Sequence, residues 1–197
     1  MKTTINKILV FLFATVTMTV VAQKKVQSFS ISRVIDSNIE DVWKVVGEDF
    51  GAIANSHPKI VSSTYNQGSI TCGGEGAERI CNLNEKGTKY IKETQLHFDA
   101  ENHRFTVQVF HTEGIPLNPD YTKATYSVKP ISPTRSEVLF KMTYRTSPAF
   151  IGWMAKGKFK KQIEDYLIAV EHHVLTGENV NKENEVSTFI VTILLSP

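Results

Sequence analysis

Residues 137–177, EVLFKMTYRTSPAFIGWMAKGKFKKQIEDYLIAVEHHVLTG, change from the pattern of a β-strand to that of a long helix. Ser147 followed by Pro148 is typical of a helix start, because proline is tolerated at the first helical position. Apolar residues then recur every three to four positions until Gly177, which is typical of a helix end. The recurring residues are Phe159, Ile163, Tyr166, Leu167, Val170 and Val174. The stretch therefore predicts a strand followed by one long amphipathic helix.

Strand patterns fill most of the chain before this helix. Short runs rich in β-branched and aromatic residues lie at 60–65, 77–83, 89–98, 104–111, 121–128 and 137–145. Turn residues such as glycine, asparagine and proline separate these runs. Because the connecting loops are short, the six segments predict an antiparallel meander.

The residues before the meander predict one strand and two short helices. Gln27–Ile35 shows the alternating pattern of a strand. Ser37 and Glu40 have the spacing of a capping box, and 48–55 predicts a second short helix that ends before Pro58. The predicted fold class is α+β, with a curved antiparallel sheet wrapped around the long C-terminal helix. A helix does not fill a strongly curved sheet, so we expect a cavity between the two.

The N-terminal segment has the three parts of a secretory signal peptide. Lys2 and Lys7 precede an apolar run at 8–21, and small or medium residues lie before Gln23. The run is shorter than the ~17–25 residues of a membrane-spanning helix. We therefore expect 1–22 to be a signal peptide. The mature protein is expected to be exported, periplasmic or secreted, without stable membrane insertion.

The rest of the chain divides into a domain and a tail. The length of 23–177 suits one domain with a substantial core. The C-terminal tail, 178–197, contains an apolar segment at 186–195 that is too short to span a membrane. The sequence does not predict what structure this tail adopts.

The charge balance argues against a nucleic-acid-binding protein. Without Lys2 and Lys7 the chain has 20 basic and 20 acidic residues. A neutral chain has no broad electrostatic footprint for phosphate backbones. The lysine-rich run at 156–161 alternates with glycine and phenylalanine, which favours the solvated side of a helix over a functional patch.

Cysteine and histidine spacing predicts neither a metal site nor a cofactor. Cys72 and Cys81 are the only cysteines. No histidine stands at ligand spacing from them, as a zinc site would need. In an oxidising compartment they would either form a disulfide or remain two free thiols, and the sequence leaves both alternatives open.

Several short motifs occur in a recognisable order along the chain. They are Ile39-Glu-Asp-Val-Trp43, Asp49-Phe-Gly51 with Pro58, Gly76-x-x-Arg79, Glu93-x-x-Leu96-x-x-Asp99, and Pro116 with Tyr121. Together with the element order, over 28–174, they resemble the START-like, birch-pollen-allergen (SRPBCC) superfamily. The similarity is to its polyketide cyclase/dehydrase and lipid-transport branch. This resemblance implies a helix-grip fold whose cavity holds a hydrophobic small molecule such as a lipid, steroid or polyketide.

One predicted hairpin places two charged residues opposite each other. A three-residue loop with Gly87 in the left-handed position pairs Asn84 with Thr88, and so pairs Arg79 with Glu93. On an exposed face such a pair contributes only about 0.2–1 kcal/mol. The resemblance implies instead that Glu93 points into the cavity.

On that second interpretation the cavity is lined by apolar residues with a few polar anchors. The expected ligand-binding residues are Arg79, Cys81, Leu83, Ile91, Glu93, Gln108, Phe110, Tyr121, Phe140, Met142, Tyr144, Phe159 and Ile163. Periodicity alone would bury the opposite face, which carries Tyr90, Leu96, Phe98, Phe105, Val107 and Val109. A bulge or a one-residue register shift exchanges the two faces. We follow the resemblance.

Three functions are compatible with this sequence. The first is binding or transport of a hydrophobic small molecule, which needs an apolar cavity with few polar groups. The alternative is a cofactor-free cyclase or dehydratase, which needs an acid and a base for a carbonyl substrate. Its candidate catalytic residues are Glu93, His111 and Tyr121. The third is an interaction domain with a filled interior and an exposed apolar patch.

Overall fold

The computed structural model describes residues 26–180, and seven strands in this range form one antiparallel sheet. The strands are β1 (Gln27–Ile35), β2 (Ser62–Tyr65), β3 (Glu78–Asn82), β4 (Tyr90–Asp99), β5 (Arg104–Glu113), β6 (Lys123–Ser132) and β7 (Arg135–Tyr144). Their order in the sheet is β1-β7-β6-β5-β4-β3-β2. Strands β2 to β7 therefore follow one another as the predicted meander, and β1 pairs with β7 at the far side.

Three short helical segments lie between β1 and β2. Helix α1 (Ile39–Trp43) begins at Asn38, whose side chain accepts a hydrogen bond from the Asp41 backbone. This corrects the predicted capping box at Ser37, because an asparagine one residue later satisfies the helix end. A π-helical turn (Lys44–Glu48) and a 3₁₀ helix (Phe50–Asn55) follow where a second short helix was predicted.

The long helix α2 (Ala149–Thr176) follows β7. Pro148 is its N-cap, so the helix begins one residue later than predicted, and Gly177 ends it with φ at 75°. Its buried residues are Gly152, Asp165, Tyr166, Leu167, Ala169 and Val170. Most of them lie in the C-terminal half of the helix. Within 26–180 no helix is both long and apolar enough to cross a membrane.

Aromatic side chains dominate the core between the sheet and α2. Phe105 stacks on Tyr126 with ring centroids 4.7 Å apart, and Tyr126 meets Phe140 edge-on at 4.9 Å. The ring centroids of Trp43, in α1, and Phe105 are 5.8 Å apart. This arrangement of a curved antiparallel sheet around a C-terminal helix is the predicted helix-grip fold.

A bulge between β4 and β5 decides which side chains face the core. Lys92 pairs with His111, but Glu93 pairs with Val109, so Phe110 is left without a partner. The extra residue reverses the alternation of β5 relative to β4. As a result Glu93 shares the buried face with Val109, and the two faces that the sequence presented as alternatives each contribute to one core.

The two cysteines and the residues just after α2 differ in burial. Cys72 is exposed, Cys81 is buried and both are free thiols. Val180 is fully buried, and its N–H donates to the Asn55 carbonyl at 2.7 Å, so the first residues after α2 pack against the 3₁₀ helix. The predicted signal peptide and the apolar segment at 186–195 lie outside the described residues.

Candidate functional site

A buried ion pair joins β3 to β4 inside the sheet. The hairpin has the predicted register, with Gly87 at a φ of 64° and Arg79 directly opposite Glu93. Nε and Nη2 of Arg79 each lie 2.7 Å from Oε2 of Glu93. Arg79 is 4% and Glu93 8% exposed. The pair is therefore buried, and it is not the exposed cross-strand pair that the sequence also allowed.

The remaining contacts of Arg79 fix the guanidinium against the 3₁₀ helix. Nη1 donates to the Phe50 carbonyl at 2.7 Å, and the guanidinium carbon lies 3.9 Å from the centre of the Phe50 ring. A guanidinium has five N–H donors. Within the described chain three of them are used, and the hydrogen bonds of Glu93 all go to Oε2. Two N–H groups of Arg79 and Oε1 of Glu93 have no hydrogen bond among these contacts.

Cys81 adds a protonated thiol beside the pair. Its Sγ lies 3.8 Å from Oε2 of Glu93 and 3.7 Å from Oγ of Ser63. Burial raises the pKa of the Cys81 thiol to about 12, although the Arg79 charge opposes this shift. Since the thiolate is the reactive form of cysteine, Cys81 is not an activated nucleophile.

Two tyrosines approach the pair from β6 and α2. Tyr126 and Tyr166 are 6% and 3% exposed, and their ring centroids are 6.5 Å apart. Burial raises the pKa of Tyr126 well above its usual value. Burial also raises the pKa of Tyr166 to about 12, against the opposing effects of Arg79 and of a hydrogen bond with Tyr126. Both phenols therefore keep their protons at neutral pH and can donate hydrogen bonds.

A neutral histidine covers Tyr166. The His57 ring stacks on the Tyr166 ring at 4.9 Å, and Nδ1 of His57 accepts a hydrogen bond from the Lys59 backbone at 3.1 Å. Burial, followed by the positive charge of Arg79, lowers the pKa of His57 to about 3. We call the six groups the interior polar cluster. Its members are His57, Arg79, Cys81, Glu93, Tyr126 and Tyr166.

Three of the predicted ligand-binding residues do not face the interior. Gln108 faces away from it, and its Nε2 donates to the backbone carbonyls of Pro119 and Thr122 at 2.8 and 3.1 Å. Phe110 is the bulge residue and is 42% exposed, and Tyr121 is 43% exposed. The expected interior placement of all three is wrong. For Gln108 and Phe110 the reason is the bulge, which turns Val109 inward instead, and Tyr121 lies in the 3₁₀ turn Pro119–Tyr121 and not in a strand.

His111, a predicted catalytic candidate, is also remote from the cluster. It pairs with Lys92 on the outer face of the sheet. Its Nε2 lies 3.3 Å from the Tyr90 hydroxyl, and the two rings stack at 5.5 Å. This contact gives His111 a structural partner on the outside, while Glu93 points inward.

The other predicted lining residues are buried or half-buried against the core. Phe140 and Tyr144 are buried, and Tyr144 donates its hydroxyl hydrogen to the Gly152 carbonyl at 2.7 Å. Phe159 meets Tyr144 edge-on at 4.9 Å. Half-buried residues that pack on the same core are Leu83, Ile91, Met142, Phe159 and Ile163. Their role in ligand binding stays a prediction.

Sequence reasoning missed three members of the cluster. Tyr126 is the cross-strand partner of Phe140, so its inward direction was available from the β6–β7 pairing. Tyr166 was recognised as part of the apolar helix stripe but not as a polar group. His57 lies in an irregular loop, where no periodicity indicates direction.

A cleft lies beside β2, and two of its lining residues are cross-strand partners of cluster members. It has a volume of about 530 Å³ and is lined by Glu48, Asp49, Gly51, Ala52, Asn55, Ser63, Thr64, Tyr65, Thr71 and Cys72. Ser63 and Tyr65 are the cross-strand partners of Cys81 and Arg79. A second cleft of about 490 Å³ lies around Thr106 and Thr125 on the outer face of the sheet. In the described part of the chain, His, Cys, Asp and Glu form no group of three or more that could hold a metal ion.

Comparisons with known proteins identify a family for the chain and agree with its fold. A family model described as polyketide cyclase/dehydrase and lipid transport matches residues 26–170. No curated protein sequence matches the chain.

Solved structures show the same fold at low sequence identity. Ara h 8.0201 is 17% identical with a TM-score of 0.60, over 77% of this chain and 99% of that one. Norcoclaurine synthase from Thalictrum flavum, solved with dopamine and hydroxybenzaldehyde, is 15% identical with a TM-score of 0.55, over 77% and 87%. The Zhui aromatase/cyclase from Streptomyces sp. R1128 is 13% identical with a TM-score of 0.59, over 82% and 96%.

Proposed function

Because the chain belongs to the polyketide cyclase/dehydrase and lipid transport family, we propose that it binds a hydrophobic small molecule at the interior polar cluster. The polar, oxygen-bearing end of the ligand meets Arg79 and Glu93. Its apolar part lies against the aromatic core. Family membership supports a ligand-binding or a cyclase role, and the geometry of the cluster indicates which residues would take part.

The observation that carries this proposal is the burial of the Arg79–Glu93 pair. Taking two charges out of water costs several kcal/mol per ion, and apolar residues of similar volume are often as stable or more stable. A desolvated pair surrounded by groups with shifted pKa values is typical of functional sites. The position of the pair is therefore better explained by a ligand than by stability.

The groups around the pair suit an oxygen-bearing ligand. The two unused N–H groups of Arg79 donate hydrogen bonds to a carbonyl or carboxylate oxygen. Tyr126 and Tyr166 are hydrogen-bonded to each other, so one of their two hydroxyl hydrogens is available as a further donor. Oε1 of Glu93 accepts a hydrogen bond from a hydroxyl group. Sites of this kind are mostly apolar, with a few polar groups that fix orientation. The aromatic neighbours favour a ring-bearing molecule, such as a steroid or an aromatic polyketide.

The cleft beside β2 is the proposed entrance. Its volume of about 530 Å³ lies within the range of about 300–1,000 Å³ that is usual for small-molecule sites. Gly51 lies in its wall, and a Cβ atom there would come within 2.3 Å of the Tyr65 ring. Tyr65 therefore packs directly on the 3₁₀ backbone, between the cleft lining and its cross-strand partner Arg79.

A fluorescent-probe displacement assay tests the binding proposal. We expect fatty acids, steroids or aromatic polyketides to displace 1-anilinonaphthalene-8-sulfonate from the chain. Glu93→Gln should weaken the preferred ligand about tenfold, because a hydrogen bond to a charged group is worth roughly 1.5–3 kcal/mol. Asp99→Asn, at the exposed Asp99–Arg104 pair, is the matched control and should bind like wild type. Equal binding by both variants would place the ligand elsewhere.

A second candidate function, a cofactor-free cyclase, is favoured by one further observation. Glu93 lies within 3.8 Å of the Cys81 thiol and shares the interior with two protonated phenols. A carboxylate base next to phenol and guanidinium donors is suited to removing a proton beside a carbonyl and stabilising the enolate. Cyclisation of a poly-β-keto thioester analogue, abolished in Glu93→Gln and reduced in Tyr126→Phe, would establish this activity. Binding without turnover would exclude it.

We also propose that the protein is exported after removal of 1–22. The charged start and the short apolar run support this. N-terminal sequencing of the exported protein should begin near Gln23. An intact Met1 in the membrane fraction would contradict the proposal.

A further inference from the structure

The first two turns of α2 expose a contiguous apolar face. Phe150 is 65%, Trp153 68% and Met154 70% exposed. Residues three and four positions apart lie on the same side of a helix. The three side chains therefore form one patch, whereas single exposed apolar residues are normal on protein surfaces.

This end of the helix is held firmly against the sheet by its other side. The Gly152 carbonyl accepts the hydrogen bond of the Tyr144 hydroxyl at 2.7 Å. A Cβ atom on Gly152 would lie 3.0 Å from Oγ1 of Thr146, which shows how closely the helix approaches β7. The contacts on this side leave Phe150, Trp153 and Met154 pointing away from the domain.

Positive charge follows the patch along the helix, and Lys158 lies one turn after Met154 on the same side. Lys156, Lys158, Lys160 and Lys161 occupy the next two turns, and 149–163 contains no acidic residue. Lys158, Lys160 and Lys161 are exposed, and Lys161 also pairs with Asp165 one turn later. Without Lys2, Lys7 and these four lysines the chain has 16 basic and 20 acidic residues, so this concentration of lysine is a local feature.

We propose that this surface binds an anionic lipid bilayer. We call it the α2 docking face, and it consists of Phe150, Trp153, Met154, Lys156, Lys158 and Lys160. An interfacial helix places aromatic and aliphatic side chains at the boundary of headgroups and acyl chains, with lysines near lipid phosphates. The protein then lies on the membrane without spanning it.

Charge complementarity selects this partner over a second copy of the chain. In a symmetric dimer the same patch meets itself, and 149–163 offers no acidic residue that could pair with the lysines of the other copy. An anionic membrane instead attracts each lysine near the surface. The inference does not depend on a ligand in the interior polar cluster, so it stands or fails separately from the proposed function.

The two tryptophans allow a residue-specific test on the full chain. Trp43 is 2% exposed and Trp153 is 68% exposed, so acrylamide quenches chiefly Trp153. We expect vesicles of phosphatidylcholine with 30 mol% phosphatidylglycerol to shift the emission to the blue and to protect Trp153 from acrylamide. Pure phosphatidylcholine vesicles should give a weaker effect, and 0.5 M NaCl should reduce binding because it screens surface charge.

Paired variants separate the apolar and the charged contributions. In co-sedimentation with the anionic vesicles, Phe150→Ser/Met154→Ser and Lys158→Glu/Lys160→Glu should each lower the partition coefficient about tenfold or more. Ile131→Ser, at a position 52% exposed on the β6–β7 turn, is the control for the first pair. Lys86→Glu/Lys89→Glu, on the exposed β3–β4 hairpin, is the control for the second pair and should bind like wild type.

Three results would overturn the proposal. They are absence of binding to anionic vesicles, binding that leaves Trp153 fully accessible to acrylamide, and equal binding by the docking-face and control variants. A wild-type dimer that becomes monomeric in Phe150→Ser/Met154→Ser, measured by light scattering, would show that the patch is a self-interface instead.

Discussion

The two halves of α2 carry similar apolar residues but have opposite surroundings. In the C-terminal half, Leu167 and Val170 are 1% and 0% exposed, and Tyr166 reaches the interior polar cluster. In the N-terminal half, Trp153 and Met154 are 68% and 70% exposed. The buried side of the helix continues through Gly152, and the exposed apolar residues of the N-terminal half lie on the other side. Hydrophobicity indicates that a side chain favours burial, but the surrounding fold decides whether burial occurs within the domain.

The largest expected effect is a charge placed in the covered half. Val170→Asp buries an unpaired carboxylate, which costs several kcal/mol and is comparable with the stability of a whole domain. We expect this variant to be unfolded or to melt far below wild type by circular dichroism. Trp153→Asp should unfold in urea within about 0.5 kcal/mol of wild type, because its side chain is solvated. Equal losses would show that the N-terminal half is covered too.

The ion pair beneath the covered half gives the next largest effect. Arg79→Met leaves the Glu93 carboxylate buried and unpaired, so we expect a loss of about 3–5 kcal/mol in the free energy of unfolding. Arg79→Met/Glu93→Leu should recover most of that loss, because the unpaired charge is gone. Urea titration of both variants measures the difference.

An exposed pair serves as the reference for that experiment. Arg104 of the Arg104–Asp99 pair has a side chain that is 62% exposed, and such pairs contribute about 0–1 kcal/mol. Arg104→Met should therefore change stability little. If the Arg79 and Arg104 variants lost equal stability, the interior pair would not be desolvated as described.

The regular β3–β4 hairpin and the bulged β4–β5 pair also differ in how far their structure could be predicted from the sequence. The Arg79–Glu93 pairing followed from the position of Gly87 in a tight hairpin, which is a local rule. That Phe105 and Glu93 both point inward while Phe110 points outward did not follow, because one extra residue in β5 reverses its alternation relative to β4. No local signal marks that bulge, since its position depends on how β4 and β5 pair across the sheet.

The α2 docking face was missed for a related reason. The sequence pattern assigned the lysine run at 156–161 to the solvated side of the helix, and Lys158 and Lys160 are indeed exposed. It did not show that Phe150 and Trp153 share that side. The N-terminal turns pack on the domain through Gly152, so Phe150 and Trp153 lie on the outer side of the helix, and which side is covered is a tertiary property.

A smaller effect is expected from the pH dependence of His57. Its pKa is about 3 in the folded protein, against an ordinary value of 6.5, so the folded state favours the neutral ring. That contribution to stability is complete above pH 6.5 and is lost progressively as the pH falls toward 3. The charges that oppose protonation are Arg79 on β3 and Lys59, and the stacked Tyr166 stays neutral.

His57→Phe keeps the ring on Tyr166 and removes the titration. We expect its free energy of unfolding to fall less than that of wild type between pH 7 and pH 4. The measurement is the difference between the two urea-derived stability curves, which cancels the acids common to both proteins. Parallel curves would mean that His57 is protonated as easily in the folded as in the unfolded state.

The smallest expected effect compares two glycines on opposite sides of α2. Gly157 is exposed, and a Cβ atom there would meet nothing within 4 Å, whereas at Gly152 it would lie 3.0 Å from Thr146 Oγ1 and 3.4 Å from the Tyr144 ring. Alanine is favoured over glycine inside a helix by about 1 kcal/mol. Gly157→Ala should gain about this amount, and Gly152→Ala should gain clearly less because Thr146 or Tyr144 must move. Paired urea titrations check the order, and a larger gain for Gly152→Ala would contradict the close approach of α2 to β7, on which the outward direction of the α2 docking face depends.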